Sequence, residues 1–238
     1  MAALAGTVGF LLRDGPPLGP ADRPPLDAAP SLRAERIGRL LILGTSLSHG
    51  QTWPGRLADR LEACTGTRPE IEVIARPGAT SRWGADALAA RTGPLPDAAL
   101  VEFGVNDADL LDGLSAAESH AAHRRILAAL PGVSVAVMRM NPAFGPRGWV
   151  RTGRERRETA VALQAEAAGA GLLDLPPRWR ARWRGAAARR RADIPDGLHP
   201  DPAAAAEVIA PAVAALLVPG CTADGPETEP ETGRGPTG

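Results

Sequence analysis

Short apolar runs alternate with helical patterns along most of this 238-residue chain, and this alternation restricts the fold more than any other feature. The runs are four to six residues long, as expected of strands that are buried in a sheet. They lie at 39–44, 70–75, 98–103, 133–138 and 172–175, with helical patterns at 53–63, 82–91, 116–130, 152–168 and 202–217. Strands separated by single helices require right-handed crossovers. The pattern therefore predicts an α/β fold with a five-stranded parallel sheet covered by helices on both faces.

The two ends of the chain differ in composition from this central part. Residues 14–30 contain six prolines, which indicates an extended linker because proline cannot continue a helix. Residues 219–238 are rich in Pro, Gly, Thr and Glu and have little apolar surface to bury, which predicts disorder. We therefore expect an N-terminal extension over 1–36, one folded domain over 37–218 and a disordered tail over 219–238.

Charge and cysteine content exclude several classes of function. Arginines and acidic residues number 27 each, so no net field favours nucleic acid or an anionic membrane. No segment approaches the ~20 apolar residues of a membrane-spanning helix, and the apolar stretch at 2–12 is short and has no basic residue before it. Cys64 and Cys221 are too few for a disulfide framework and leave a reducing compartment open. These features favour a cytoplasmic protein, with a secretory leader as the alternative, and no spacing suggests a zinc site.

Residues with catalytic chemistry follow the predicted strands, where ligands bind in parallel sheets. Ser46 follows the first strand in GTSLSHG, Gly78 the second in RPGATS, and Asn106 the third in GVND. Asp196 and His199 lie three residues apart in DGLHPD, before the last helix. A serine hydroxyl needs a base to become a nucleophile, and a carboxylate can hold a histidine in the required tautomer. Backbone N–H groups and the Asn106 amide could stabilise an oxyanion.

The order G-x-S, Gly, G-x-N-D and D-x-x-H resembles the four sequence blocks of the SGNH hydrolases, also called GDSL-type esterases and lipases, over about residues 40–217. The resemblance implies that Ser46 is the nucleophile, Asp196 the orienting acid and His199 the general base. It implies an oxyanion hole built by Ser46, Gly78 and Asn106. It also implies a three-layer, flavodoxin-like α/β/α sandwich without a metal or organic cofactor.

The expected function is a serine esterase that cleaves small-molecule carboxylic esters, in particular esters of acetyl or other short acyl groups. An acyltransferase with the same site and a non-catalytic binding module of the same fold are the alternatives. One departure bears on them: the family block usually reads Gly-Asp-Ser, and this chain has Thr45 at the Asp position. Thr45 is expected to loosen the hydrogen bonds that hold the nucleophile turn.

The segment 178–191 contains seven arginines and two tryptophans just before the DGLH block. Our first interpretation is a solvated helix with Trp179 and Trp183 packed inward. The alternative is a lid whose Arg180 and Arg184 bind a carboxylate or phosphate on the substrate. His120 and His123, in the helical pattern at 116–130, are expected on a solvated helix face.

Overall fold

The computed structural model describes residues 27–31, 36–218 and 220–221. Its strands are β1 (Asp27–Ala28), β2 (Arg39–Gly44), β3 (Glu70–Ala75), β4 (Ala98–Val101), β5 (Ser134–Arg139) and β6 (Gly171–Asp174). They form one sheet in the order β1-β6-β5-β4-β2-β3, in which β2 to β6 are parallel. The α/β fold class predicted from the sequence is confirmed.

The sheet has one strand more than the sequence predicts. β1 pairs antiparallel with β6 and lies in the stretch assigned to an extended linker. Its two residues are too few to display a periodic pattern, so the pairing depends on tertiary contacts. The Asp174 N–H donates to Asp27 Oδ1 at 3.0 Å, and Arg178 Nη2 lies 2.7 Å from Asp27 Oδ2. Most of the remaining N-terminal extension and nearly all of the expected tail lie outside the described residues.

Helices cover both faces of the sheet, as predicted. They are α1 (Trp53–Thr65), α2 (Ser81–Ala89), α3 (Gly104–Asp107), α4 (Ala116–Ala128), α5 (Gly145–Trp149), α6 (Arg154–Ala167), α7 (Pro176–Trp183), α8 (Ala187–Asp193) and α9 (Pro202–Leu217). Alternate β2 side chains point to opposite faces: Leu40 and Ile42 pack with α1, α7 and α9, whereas Leu41 and Leu43 pack with α2, α4 and α6. All four are almost fully buried, and each such side chain contributes about 1.5–3 kcal/mol. Burial on both faces explains why the run is continuously apolar.

The strand order places the functional edge between β2 and β4. The chain passes from β2 to β3 on one side and then crosses to β4 on the other side of β2. When the connections from two adjacent strands run to opposite sides of the sheet, a crevice opens between the carboxyl ends of these strands. The segments that follow β2 and β4, which carry Ser46 and Asn106, border this crevice.

Two short helices form the arginine-rich segment instead of one. α7 ends at Trp183, its C-cap Arg184 has a left-handed φ of 43°, and Gly185 follows at φ 83°. Trp179 and Trp183 are 0% and 6% exposed, so both pack inward as the first interpretation expects.

The two cysteines meet in the fold. Cys64, near the end of α1, forms a disulfide with Cys221 beyond α9, and their Cα atoms are 5.6 Å apart. The contact joins residues 157 apart in sequence, a proximity that the spacing could not reveal. Within the described residues, no helix is long and apolar enough to cross a membrane.

The expectation of a solvated face for His123 is wrong. Its side chain is 3% exposed, and Nδ1 lies 2.9 Å from the Ser119 carbonyl oxygen. Burial lowers the pKa of His123, although the nearby Asp107 carboxylate opposes this effect. His120, three residues earlier on α4, is half-buried.

Candidate active site

Ser46, His199 and Asp196 form a continuous chain of polar contacts at the carboxyl edge of the sheet. Ser46 Oγ lies 2.9 Å from His199 Nε2, and His199 Nδ1 lies 2.7 Å from Asp196 Oδ2. A carboxylate only accepts hydrogen bonds, so Nδ1 carries the proton and Nε2 presents its lone pair to the serine hydroxyl. This arrangement can remove the Ser46 proton and stabilise the imidazolium that results.

The loop that carries Asp196 and His199 is held by its own backbone. Asp196 Oδ1 accepts hydrogen bonds from the N–H groups of Leu198 and His199, at 2.9 and 2.7 Å. Burial alone would raise the Asp196 pKa, but the hydrogen bonds from His199 and Leu198 outweigh it and lower the pKa to about 2. The Asp201 side chain accepts from the first N–H groups of α9 and so fixes the other end of the loop. Asp196 is therefore ionised across the neutral range.

Asn141 also supports this loop, although it belongs to none of the sequence blocks that predict the site. Its side chain is fully buried, and Nδ2 donates to the Leu198 carbonyl oxygen at 2.7 Å. Asn141 follows β5, just as Ser46 follows β2. A polar residue directly after a buried strand is the signal that could have identified it.

The three donors predicted for the oxyanion hole keep hydrogens that no acceptor among the described residues takes up. In the described part of the chain, the N–H groups of Ser46 and Gly78 donate to no protein acceptor. Asn106 Nδ2 donates one hydrogen to the Ala79 carbonyl oxygen at 3.0 Å, which leaves its second hydrogen available. Gly78 has a φ of 73°, in the left-handed region that favours glycine, and a Cβ there would project into open space.

Asp107 joins the two loops that carry these donors. Its Oδ1 accepts from the Ser81 N–H at the start of α2 at 2.8 Å. Its Oδ2 accepts from the Ser81 and Ser119 hydroxyls, both at 2.6 Å. The buried carboxylate thus couples the Gly78 segment to the neighbouring Asn106, and the last residue of the GVND block has a structural role of its own.

A second buried carboxylate, Glu102, lies beneath the nucleophile turn. Glu102 Oε1 accepts hydrogen bonds from the Thr45 N–H at 2.6 Å and the Ser48 hydroxyl at 2.8 Å. The Thr45 hydroxyl donates to Oε2 at 3.0 Å and accepts from the Leu47 N–H at 3.2 Å. A Cβ at position 44 would collide with Oε1, so glycine is required there. Thr45 is therefore hydrogen-bonded on both sides, contrary to the expectation that it loosens the turn.

The environment of Glu102 disfavours its charge. The side chain is almost fully buried, and burial raises its pKa from 4.5 to about 7. Hydrogen bonds from Thr45 and Ser48 and the positive charge of Arg154 lower the pKa, but by less than burial raises it. The sequence signal for this residue is an ionisable side chain near the end of the apolar run AALVEF.

Arg180 and Arg184 lie away from the triad contacts. Arg180 is on α7 and Arg184 caps its end, and no hydrogen bond or ion pair of the described residues links either side chain to Ser46 or His199. Within the described residues, the arginine that forms an ion pair with the triad is Arg147 of α5, whose Nη2 lies 3.9 Å from Asp196 Oδ2. Both partners of this pair are substantially exposed, so it stabilises the fold little.

The family model described as "GDSL-like Lipase/Acylhydrolase family" matches residues 42–206, more than half of the chain. No curated protein matches the sequence at a significant level.

Solved structures with the same fold include a lipase/acylhydrolase from Enterococcus faecalis, at 19% identity and a TM-score of 0.58, covering 74% of this chain and 93% of that one. Axe2, an acetylxylan esterase from Geobacillus stearothermophilus, has 18% identity and a TM-score of 0.61, covering 81% and 98%. TesA has 22% identity and a TM-score of 0.56, covering 75% and 99%. At these identities the structural similarity shows the fold alone.

Proposed function

The chain belongs to the GDSL-like lipase/acylhydrolase family and is a carboxylic-ester hydrolase, and from this premise we propose that it works through a Ser46 acyl-enzyme. The observation that carries the proposal is the contact chain from Ser46 Oγ to His199 Nε2 and from His199 Nδ1 to Asp196 Oδ2, at 2.9 and 2.7 Å. Both distances lie within the range in which a proton can pass between heavy atoms.

In the first half-reaction His199 removes the Ser46 proton while Oγ attacks the ester carbonyl carbon. The carbonyl π-electrons move to oxygen, and the negative charge is stabilised by the Ser46 and Gly78 N–H groups and the Asn106 amide. His199 then gives the proton to the departing alcohol, and the acyl group remains on Oγ. Asp196 stays ionised throughout and holds the imidazole in its tautomer.

In the second half-reaction water takes the place of the alcohol. His199 removes a proton from water, the resulting hydroxide attacks the acyl carbon, and the proton returns to Ser46 Oγ as the carboxylic acid leaves. Exposure of the His199 and Asp196 side chains, at 36% and 40%, supports water as the acceptor over a sugar or metabolite hydroxyl.

We propose acetyl and other short acyl groups as the first substrates to test. The residues that follow the nucleophile are polar: His49 is exposed, and Gln51 is half-buried with its Nε2 3.5 Å from the Ser46 carbonyl oxygen. These residues offer little apolar surface to a long acyl chain. Arg180 stays a proposal as a substrate-binding residue, whereas Arg184, the other residue expected from the sequence, does not line the cleft between α7 and α8.

The first experiment compares p-nitrophenyl acetate hydrolysis by the wild type, S46A and S31A at equal concentration and neutral pH. Ser31 is an exposed serine outside the site and serves as the matched control. We expect S46A to lower kcat by about 10⁴-fold and S31A to leave it unchanged. A fluorophosphonate should label Ser46 alone, because only an activated serine reacts with it. Equal rates for the wild type and S46A would overturn the proposal.

A second measurement separates hydrolysis from acyl transfer. Adding a primary alcohol at increasing concentration reveals whether the acyl group leaves as acid or as a new ester. We expect acid to dominate. A new ester as the main product at millimolar alcohol would favour the acyltransferase.

A further inference from the structure

An open cleft with a volume of about 310 Å³ lies at the turn between α7 and α8, beside the segment that carries Asp196 and His199. It is lined by Arg180, Trp183, Gly185, Ala186, Ala187 and Arg190. The volume is at the lower end of the range for small-molecule sites, about 300–1,000 Å³. Its lining combines an aromatic surface with guanidinium groups and, in the segments described, no acidic residue.

The walls of the cleft are held in place by contacts outside it. Trp183 Nε1 donates to Asp193 Oδ2 at 3.0 Å, which fixes the indole ring against the end of α8. The Phe144 ring meets the Trp183 ring edge-on, with centroids 5.3 Å apart, and extends the aromatic surface. The left-handed conformations of Arg184 and Gly185 turn the chain sharply and create the concave shape. A ligand would therefore meet a site that is already formed.

The arginines of the cleft form no ion pair with the described residues, although Arg180 is close enough to Asp174 for its charge to oppose the rise that burial causes in the pKa of that carboxyl. Arg178 and Arg182, on the same helix as Arg180, form ion pairs at 2.7 to 2.8 Å. Within the described residues, Arg180 and Arg190 have no carboxylate at ion-pair distance, and the Arg190 guanidinium lies 4.8 Å from the centre of the Phe144 ring. Two guanidinium groups without an ion-pair partner, next to aromatic rings, favour an anionic ligand with an apolar portion.

Phe144 connects this cleft to the proposed active site. Its N–H donates to the Gly197 carbonyl oxygen at 2.7 Å, and Gly197 lies between Asp196 and His199 in the chain. Arg147, whose Nη2 lies 3.9 Å from Asp196 Oδ2, follows Phe144 by three residues. The Phe144 edge of the cleft is therefore held against the loop that carries the triad acid and base.

We propose that the cleft is a subsite for a carboxylate or phosphate group carried by the substrate, held by Arg180 and Arg190 against Trp183. This proposal rests on the proposed function for the reaction at Ser46, and it replaces Arg184 by Arg190 as the second anion-binding residue. Arg184 is exposed, and its side chain does not line the cleft.

The consecutive arginines 189–191 provide a matched control, because Arg190 alone among them lines the cleft. Phenyl monoesters of dicarboxylic acids of increasing length are each compared with the phenyl ester of the uncharged acid of equal carbon number. We expect R190Q and R180Q to lower the ratio of kcat/KM for charged over uncharged esters by about tenfold at the preferred length, as for loss of one charged hydrogen bond. We expect R189Q and R191Q to preserve the ratio. Equal effects of R190Q and R191Q, or no preference at any length, would overturn the proposal.

Binding to the inert S46A variant tests the cleft independently of turnover. Calorimetry with the preferred monoester should give a Kd that rises about tenfold when R190Q is added to S46A. Inorganic phosphate should compete with the monoester if both occupy the cleft. Should S46A hydrolyse esters like the wild type, the proposed function fails, and calorimetry with inorganic phosphate, which is not consumed, still decides the subsite. An unchanged Kd in S46A/R190Q would refute the subsite even if Ser46 is the nucleophile.

Discussion

Replacing Glu102 tests whether one buried carboxylate holds the nucleophile turn. E102A removes the acceptor of three donors, the Thr45 N–H, the Thr45 hydroxyl and the Ser48 hydroxyl. Each buried donor left without a partner costs about 1–3 kcal/mol, so E102A should destabilise the fold by several kcal/mol and lower kcat as the turn relaxes. E102Q keeps one oxygen for Thr45 N–H and Ser48, and its amide can donate to the Thr45 hydroxyl. We expect kcat of E102Q to remain within a few-fold of the wild type.

The same substitution should change how stability depends on pH. The Glu102 pKa is about 7 in the folded state against 4.5 ordinarily, so the folded state holds a proton between these values that the unfolded state has released. The stabilisation that this proton contributes is therefore complete below pH 4.5 and is lost as the pH rises to about 7. The loss is about 3 kcal/mol, at about 1.4 kcal/mol for each pH unit. E102Q has no such proton and avoids the loss.

Urea unfolding from pH 5 to pH 8 measures this effect directly. We expect E102Q to gain about 2–3 kcal/mol relative to the wild type between these two pH values. E70Q removes an exposed carboxylate on β3 and is the control for loss of one negative charge. A constant difference between E102Q and the wild type across the pH range would refute the reasoning. So would an E102A variant with the kcat and stability of the wild type.

Three further predictions concern the triad acid, the oxyanion donors and the disulfide. D196N should lower kcat by about 10⁴-fold because nothing then holds the imidazole in the required tautomer. In the wild type, the pH profile of kcat should show no Asp196 titration above about pH 3, since the pKa of Asp196 is lowered to about 2. N106A should lower kcat by about 10²–10³-fold with little change in KM, and a matching rise in KM alone would mean that Asn106 binds ground-state substrate instead. Replacing Cys64 and Cys221 together by serine should lower the unfolding free energy by about 2–5 kcal/mol in urea titrations, and dithiothreitol should then have no further effect.

The order of elements could be predicted from the sequence because local patterns carry it. Runs such as 39–44 are apolar on both sides, which requires a sheet covered on two faces, and single helices between runs require parallel strands. The pairing of β1 could not be predicted, because two residues show no period and their partner β6 is far away in sequence. The Cys64–Cys221 contact is equally remote, since it depends on how α1 packs against α9.

For the site, the sequence by itself determined which residues follow the strands: Ser46, Gly78 and Asn106 stand where parallel strands end, and Asp196 and His199 precede a helix. Parallel strands end at the same edge of a sheet, so the sequence alone also predicts that the residues following them lie at one edge.

Only the tertiary structure decided what supports that edge. Glu102 is indistinguishable in sequence from any charged residue at the end of a strand, and its importance comes from burial beneath a turn more than 50 residues earlier in the chain. Asn141 and Asp107 likewise act through partners that only folding brings near. The same holds for Arg190, which no local pattern separates from Arg189 and Arg191. Hydrogen-bond partners and desolvation are properties of the packed molecule, and for that reason they cannot be read from a linear pattern.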